Sequence, residues 1–110
     1  MPIIKRETSV AANSTVDNII DGSIYEFLPF NAALNIGNNG SATGLVVTIN
    51  TGSDTVQEES PVNVNTVFPV IPDDMDVQDV AAAGERLVIK ARNTTGGALT
   101  LRTLVQLTPV

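Results

Sequence analysis

The chain has 110 residues and a net charge of −6, and it contains no cysteine, histidine or tryptophan. Without thiols it can form neither a disulfide framework nor a thiolate metal site, and without histidine it lacks the commonest general base. An acidic chain repels phosphate backbones and anionic lipid, so we expect neither nucleic acid nor membrane among its partners.

Short alternating segments separated by turn residues predict seven to nine strands in the whole chain. Residues 1–15 are interpreted as an N-terminal arm or a first strand, and residues 16–110 as a β-sandwich domain. Residues 23–30, 31–36 and 45–50 alternate apolar and polar side chains, which is typical of half-buried strands. Asn39-Gly40 predicts a tight hairpin turn before the last of these segments.

The middle of the chain predicts two further strands and a long connection. A short strand is expected at 55–59, and an alternating strand at 60–70 between Pro61 and Pro69, since proline is tolerated at strand ends. The acidic stretch after it is interpreted as a connection that holds at most one helical turn, over Met75 to Ala82.

The last quarter, residues 83–110, predicts two strands around a Gly-rich turn. Two sets of residues share a parity, and each set can face one core. The sets are Leu87, Ile89 and Ala91, then Leu99, Leu101, Thr103, Val105 and Leu107. The two strands are expected to pair as a hairpin. The number of short strands and the lack of a substantial helix predict an all-β chain: a single-domain antiparallel β-sandwich, with jelly-roll (Greek-key) topology. An immunoglobulin-like sandwich is the alternative, and the missing cysteine and tryptophan disfavour it.

The residue types offer little for catalysis. Paired carboxylates can hydrolyse glycosides, but they must flank a sugar site, and the sequence gives no aromatic lining for one. The three phenylalanines and one tyrosine lie mostly in strand patterns. We therefore predict that the protein is not an enzyme and has no cofactor.

Four aspartates, Asp73, Asp74, Asp76 and Asp79, form the densest acidic run. Carboxylate oxygens suit calcium, and with Asp74 at position one of an EF-hand loop the closing glutamate would be Glu85. Position six would then be Asp79 instead of the required glycine. We predict a solvent-facing loop without a metal, and a calcium site stays open as the alternative.

Apolar residues opposite the predicted core parity suggest a subunit interface. They are Val46, Val67, Val88 and Leu104, and the N-terminal residues Ile3, Ile4, Lys5 and Arg6 are added to them. A small β-domain with flat apolar strand faces tends to bury them against its own copies, so we expect a homotrimer. The alternative is that loops of the same subunit cover these faces.

Residues 70–110 resemble the C-terminal half of small virion proteins of tailed bacteriophages. The resemblance rests on Ala83-Gly84-Glu85-Arg86-Leu87, on Arg92-Asn93-Thr94-Thr95 and on the final strand, and residues 35–49 share the Asn/Gly/Thr-rich character. It implies a jelly-roll decoration or cement protein on an icosahedral head, with the major capsid protein as partner. Such proteins are often trimers at threefold or quasi-threefold positions.

This resemblance places the protein on the capsid surface of a virion, after synthesis in the host cytoplasm. In that setting the N-terminal segment could lie along the shell, with Ile3 and Ile4 docked and Lys5 and Arg6 paired to carboxylates. The competing function is a carbohydrate- or ligand-binding β-sandwich module of a phage fibre or bacterial surface. That function predicts exposed aromatic side chains.

Overall fold

Two β-sheets packed face to face build the protein. A computed structural model describes residues 3–23, 25–52, 54–65, 67–69 and 77–110. The strands in these ranges are β1 (Ile3–Val10), β2 (Thr15–Val16), β3 (Ala32–Gly40), β4 (Leu45–Thr51), β5 (Asp54–Pro61), β6 (Asn63–Val64), β7 (Val77–Ala81), β8 (Leu87–Asn93) and β9 (Leu99–Pro109). The first sheet has the order β1-β9-β3 with β6 and β7 along the outer edge of β3, and the second has the order β2-β8-β4-β5. The predicted all-β sandwich is confirmed.

The strand pairs are nested around the turn between β4 and β5. β4 pairs with β5, β3 with β7, β2 with β8 and β1 with β9, all antiparallel, so each pair encloses the previous one along the chain. Gly52 has a φ of 58° in that central turn, a conformation that glycine adopts without steric cost. Two further pairings, β3 with β9 and β4 with β8, join the nested pairs into sheets.

The predicted hairpin over 83–110 is wrong. β8 lies in the second sheet and β9 in the first, and residues 94–98 carry the chain from one sheet to the other. Leu87 and Ile89 therefore belong to the opposite sheet from Leu101 and Val105, across the core, and all four are fully buried. The prediction that both sets face one core is confirmed, because parity fixes the face of a strand but not its neighbour.

Several local predictions also change. Asn39 and Gly40 are the last residues of β3, and the turn follows at 41–44. Among the described residues of the predicted strand 23–30, only Phe27 forms a bridge, with Arg86. The described part of the strand predicted at 60–70 contains the end of β5 and the two-residue β6. β7 is a strand where a helical turn was considered; Met75 and Asp76 lie outside the described residues.

The core lies between the sheets and is almost wholly aliphatic. Its largest fully buried side chains are Ile20, Leu34, Ile36, Leu45, Ile49, Leu87, Ile89, Leu101, Leu107, Val10, Val47 and Val105. Several buried polar residues interrupt it. Between β9 and β3 the Thr103 hydroxyl donates to Asn38 Oδ1 at 2.7 Å. This hydrogen bond accounts for a threonine at an inward position, since a buried hydroxyl without a partner is costly.

The N-terminal segment from Ile3 to Val10 is a strand of the sandwich rather than an arm. All eight residues of β1 pair with β9. Ile4 and Val10 are buried in the core, whereas Ile3 is half exposed on the outer face. Arg6 Nη1 lies 3.4 Å from the carbonyl oxygen of Asp21, so the edge of the first sheet is linked to the segment that follows β2.

Replacing Leu101 with alanine is expected to lower the free energy of unfolding by ~2–5 kcal/mol, because the side chain is fully buried and its loss leaves a cavity. The control is Leu99→Ala on the same strand, where the side chain is only partly buried. Urea denaturation, monitored by circular dichroism, measures the free energy of unfolding of both variants. Equal losses in the two variants would contradict the assigned core.

Candidate functional site

The predicted interface residues lie on two different faces of the protein. Val46 and Val88 are half-buried on the outer face of the second sheet, on neighbouring strands. Ile3 and Lys5 lie on the outer face of the first sheet, and the carbonyl of Val67 accepts a hydrogen bond from Asn39 of that sheet at 3.1 Å. The structure therefore does not unite them in one patch.

Two of the predicted interface residues, Ile4 and Leu104, are buried within the subunit and are not offered to a partner. Ile4 packs in the core. Leu104 has the outward parity that the sequence indicated, but it is 4% exposed and lies beside Lys5 in the sheet. The Lys5 ammonium lies 5.7 Å from the centre of the Phe68 ring, so the segment that carries Phe68 lies over this face. At Leu104, therefore, the alternative expectation applies, in which loops of the same subunit cover an apolar strand face.

Among the residues that the structure describes, six large apolar ones are at least half exposed and lie outside the core. They are Ile3 (50%), Val67 (52%), Val64 (54%), Phe27 (59%), Val80 (63%) and Val110 (72%). The sequence identified only Ile3 and Val67. It missed Val64, which lies in the segment 60–70 that was predicted as one alternating strand, and Phe27, which lies in the predicted strand 23–30.

Glu26 and Arg86 form an ion pair at the end of the sandwich where β8 begins. Arg86 Nε lies 2.6 Å from Glu26 Oε2, and the backbone N–H of Gly22 donates to the other carboxylate oxygen at 3.2 Å. The hydrogen bond from Arg86, and then that from Gly22, lower the pKa of Glu26 below its ordinary value of 4.5. The pair joins the segment after β2 to the start of β8.

A second ion pair joins Glu59 of β5 to Arg92 of β8. The contact is bidentate, with distances of 2.6 and 3.1 Å. The hydrogen bonds from Arg92 lower the pKa of Glu59, and those from Glu59 raise the pKa of Arg92. Both side chains are over 40% exposed, so solvent screens this pair more than that of Glu26, which is 11% exposed.

Asn93, at the end of β8, organises the loops at the opposite end of the sandwich. Its buried amide donates to the carbonyls of Val10 and Gly97 at 3.0 and 2.8 Å. Its carbonyl oxygen accepts from the backbone N–H and the hydroxyl of Thr95 at 2.8 and 2.7 Å. One side chain thus holds the end of β1 and the turn before β9 in place.

Asn18 has an equivalent role nearer the other end. Its amide donates to the carbonyl of Leu87, and its Oδ1 accepts from the backbone N–H groups of Ile20 and Ile89 at 3.2 and 3.1 Å. The segment after β2 is attached to β8 in this way without a regular strand. Sequence reasoning missed both asparagines, since asparagine in an Asn-rich chain reads as a turn residue.

The structure gives no support to a metal centre among the residues it describes. In those ranges no three acidic side chains gather where an ion could be held, and the surface has no pocket. Asp73, Asp74 and Asp76 lie outside the described residues; Asp79 is exposed on β7 and accepts a hydrogen bond from the N–H of Val80 at 2.8 Å. The described chain contains no helix long and apolar enough to span a membrane.

Comparisons of the chain with protein-family models, with curated proteins and with solved structures find no match. Its function is therefore argued from its own surface.

Replacing Glu26 with glutamine is expected to destabilise the protein at neutral pH but not in acid. A carboxylate whose pKa is lowered in the folded state stabilises it above the ordinary pKa of 4.5, and this stabilisation is lost as the pH falls through the folded-state pKa. Urea denaturation at a series of pH values should show the two proteins converging below that point.

The matched control is Glu59→Gln, in which a contact of equal length but greater exposure is lost. Its effect at neutral pH should be the smaller one. A pH-independent difference between the wild type and the Glu26 variant would contradict the role assigned to this ion pair.

Replacing Asn93 with aspartate is expected to lower the free energy of unfolding by at least about 2 kcal/mol, because the carbonyls of Val10 and Gly97 would face a carboxylate in place of a donor. The control Asn63→Asp changes an exposed residue of β6 and should stay within about 0.5 kcal/mol of the wild type. Thermal denaturation of the three proteins measures this. Similar melting of all three would show that the asparagine does not hold the loops.

Proposed function

We propose that the protein is a non-enzymatic structural protein of a virion, which decorates or cements an icosahedral phage capsid. Its partners are further copies of itself and the major capsid protein. The observation that carries the proposal is the set of large apolar side chains that are at least half exposed and lie outside the core. Exposed apolar surface that the fold does not need is typical of surfaces that bind other proteins.

The strand arrangement supports the same function by analogy. If the two-residue β6, which runs parallel to β3, is set aside, the eight remaining strands are nested in the order of a jelly roll, the topology expected from the sequence. That architecture recurs in viral capsid domains. A fold alone does not assign a function, so this argument supports the proposal without carrying it.

The homotrimer and the location on the capsid surface belong to the proposal. Of the residues first expected at the interface, Ile3, Lys5 and Val67 remain available around the first sheet, and Val46 and Val88 are partly available on the second. Two separate faces suit a protein that contacts more than one neighbouring molecule.

A carbohydrate- or ligand-binding module is the second candidate, and Phe27 favours it. The residue is 59% exposed and forms a backbone bridge with Arg86, and an exposed aromatic ring can stack on a sugar. The two candidates differ in one variant. Phe27→Ala would abolish glycan binding if the second function were correct, and would leave attachment to capsids intact if the first were.

Co-sedimentation with phage particles tests the proposed function. Particles of the phage that encodes the chain are purified on a density gradient, and the ratio of this protein to the major capsid protein is measured by quantitative mass spectrometry. We expect a fixed ratio across preparations, because structural positions on an icosahedral shell are fixed in number.

The comparison sample is a set of particles assembled without this chain, to which purified protein is added back. Saturable binding up to the same ratio is the expected result. Protein that remains at the top of the gradient in both experiments would refute the proposed function.

A further inference from the structure

The charges of the molecule are distributed unevenly along its long dimension. One end is built from residues 11–14, 41–44, 61–65 and 94–98, which contain no Asp, Glu, Lys or Arg and which we call the uncharged end. The opposite end, made of the described residues 21–23, 25–30, 52, 54 and 82–86, contains Asp21, Glu26, Asp54 and Glu85 against the single cation Arg86. We call it the acidic end. The two ends lie apart because β3, β4 and β5 each run from one end of the sandwich to the other.

Two cations on the strands that lead to the uncharged end lie beside carboxylates. Arg92, next to the last residue of β8, is paired with Glu59. Arg102, near the start of β9, lies 3.7 Å from Glu7. Among the described residues, the loops of this end therefore carry no charge that would have to be desolvated on contact.

Hydrogen bonds between the loops hold the uncharged end in one conformation. The N–H of Asn13 donates to the carbonyl of Thr95 at 3.0 Å, and the N–H and hydroxyl of Thr94 both donate to the carbonyl of Gly44, at 2.9 and 2.7 Å. Gly44 has a φ of 126°, and a Cβ there would lie 2.2 Å from a Thr95 methyl carbon, so only glycine fits. Loops that are already ordered lose little conformational entropy on binding.

From this charge distribution and this order we infer that the uncharged end is the surface that docks on the capsid shell. This inference rests on the proposed function and names the contact surface for it. The end offers methyl groups, hydroxyls and backbone groups, including exposed Ala11, Thr43, Val64 and Ala98. These suit an uncharged protein surface. Nucleic acid would require cations and a metal ion would require carboxylates, and these ranges have neither.

Charge insertion at the two ends tests the inference. Thr43→Glu and Ala98→Glu place a carboxylate on exposed loops of the uncharged end, and Thr43→Lys and Ala98→Lys place a cation there. Ala82→Glu and Ala82→Lys are the matched controls, since Ala82 is exposed at the acidic end. Each purified variant is added to particles assembled without this chain. Thermal denaturation checks that the variants fold, which we expect for changes at exposed positions.

We expect both signs of charge at the uncharged end to weaken binding to particles by at least about tenfold, because either charge would be buried without a partner. The Ala82 variants should bind like the wild type. Wild-type binding that survives all four changes at the uncharged end, or that is lost only with the Ala82 variants, overturns the inference while the proposed function stands.

Two further outcomes separate the possible partners. If the glutamate variants weaken binding and the lysine variants strengthen it, the surface docks on an acidic partner, and the inferred uncharged partner is wrong. If sedimentation velocity shows that the free wild-type protein associates and that Ala98→Glu dissociates it, the partner of this end is a second copy, and docking on the shell is wrong. Absence of wild-type binding to particles refutes the proposed function itself, and the inferred docking with it.

Discussion

The position of β9 between β1 and β3 is the constraint on which the rest of the structure depends. The strand forms eight residue pairs with β1 and nine with β3, and its inward side chains Leu101, Val105 and Leu107 are fully buried. Without it the first sheet would fall into an isolated edge strand and a separate group around β3. The second sheet would then lose the apolar surface that covers it, because the hydrophobic effect acts only on area that both sheets hide together.

The sequence predicts the face of each strand better than its neighbours, for a physical reason. Alternation is a local property, so the inward assignment of Ile89 and Leu107 follows from a few adjacent residues. Pairing is decided by contacts far apart in the chain, and a Gly-rich turn such as 94–98 can close a hairpin or carry the chain to another sheet. The same limit applies to Asn93, whose hydrogen bond to Val10 spans 83 positions.

The uncharged end shows the same difference between local properties, which the sequence reveals, and long-range contacts, which it does not. The sequence shows that formal charge is absent from residues 8–16, 27–53, 60–72 and 93–101. It does not show that parts of these four segments meet at one end of the molecule, because this meeting depends on the order of strands. Leu104 is the opposite case: its outward parity was read correctly, and only the segment around Phe68, remote in sequence, explains why it is buried.

The nesting of the strands has a consequence for synthesis on the ribosome. β1 is made first, but its partner in the sheet is β9, about a hundred residues later, and β2 similarly waits for β8. Only β4 and β5 can pair soon after they emerge. The chain loses conformational entropy when such long loops close, and it does so before the strand contacts contribute any stability, so chains of this type fold slowly. The apolar strand faces stay unprotected until the last strand is released, and during that interval the nascent chain is exposed to aggregation and to chaperones.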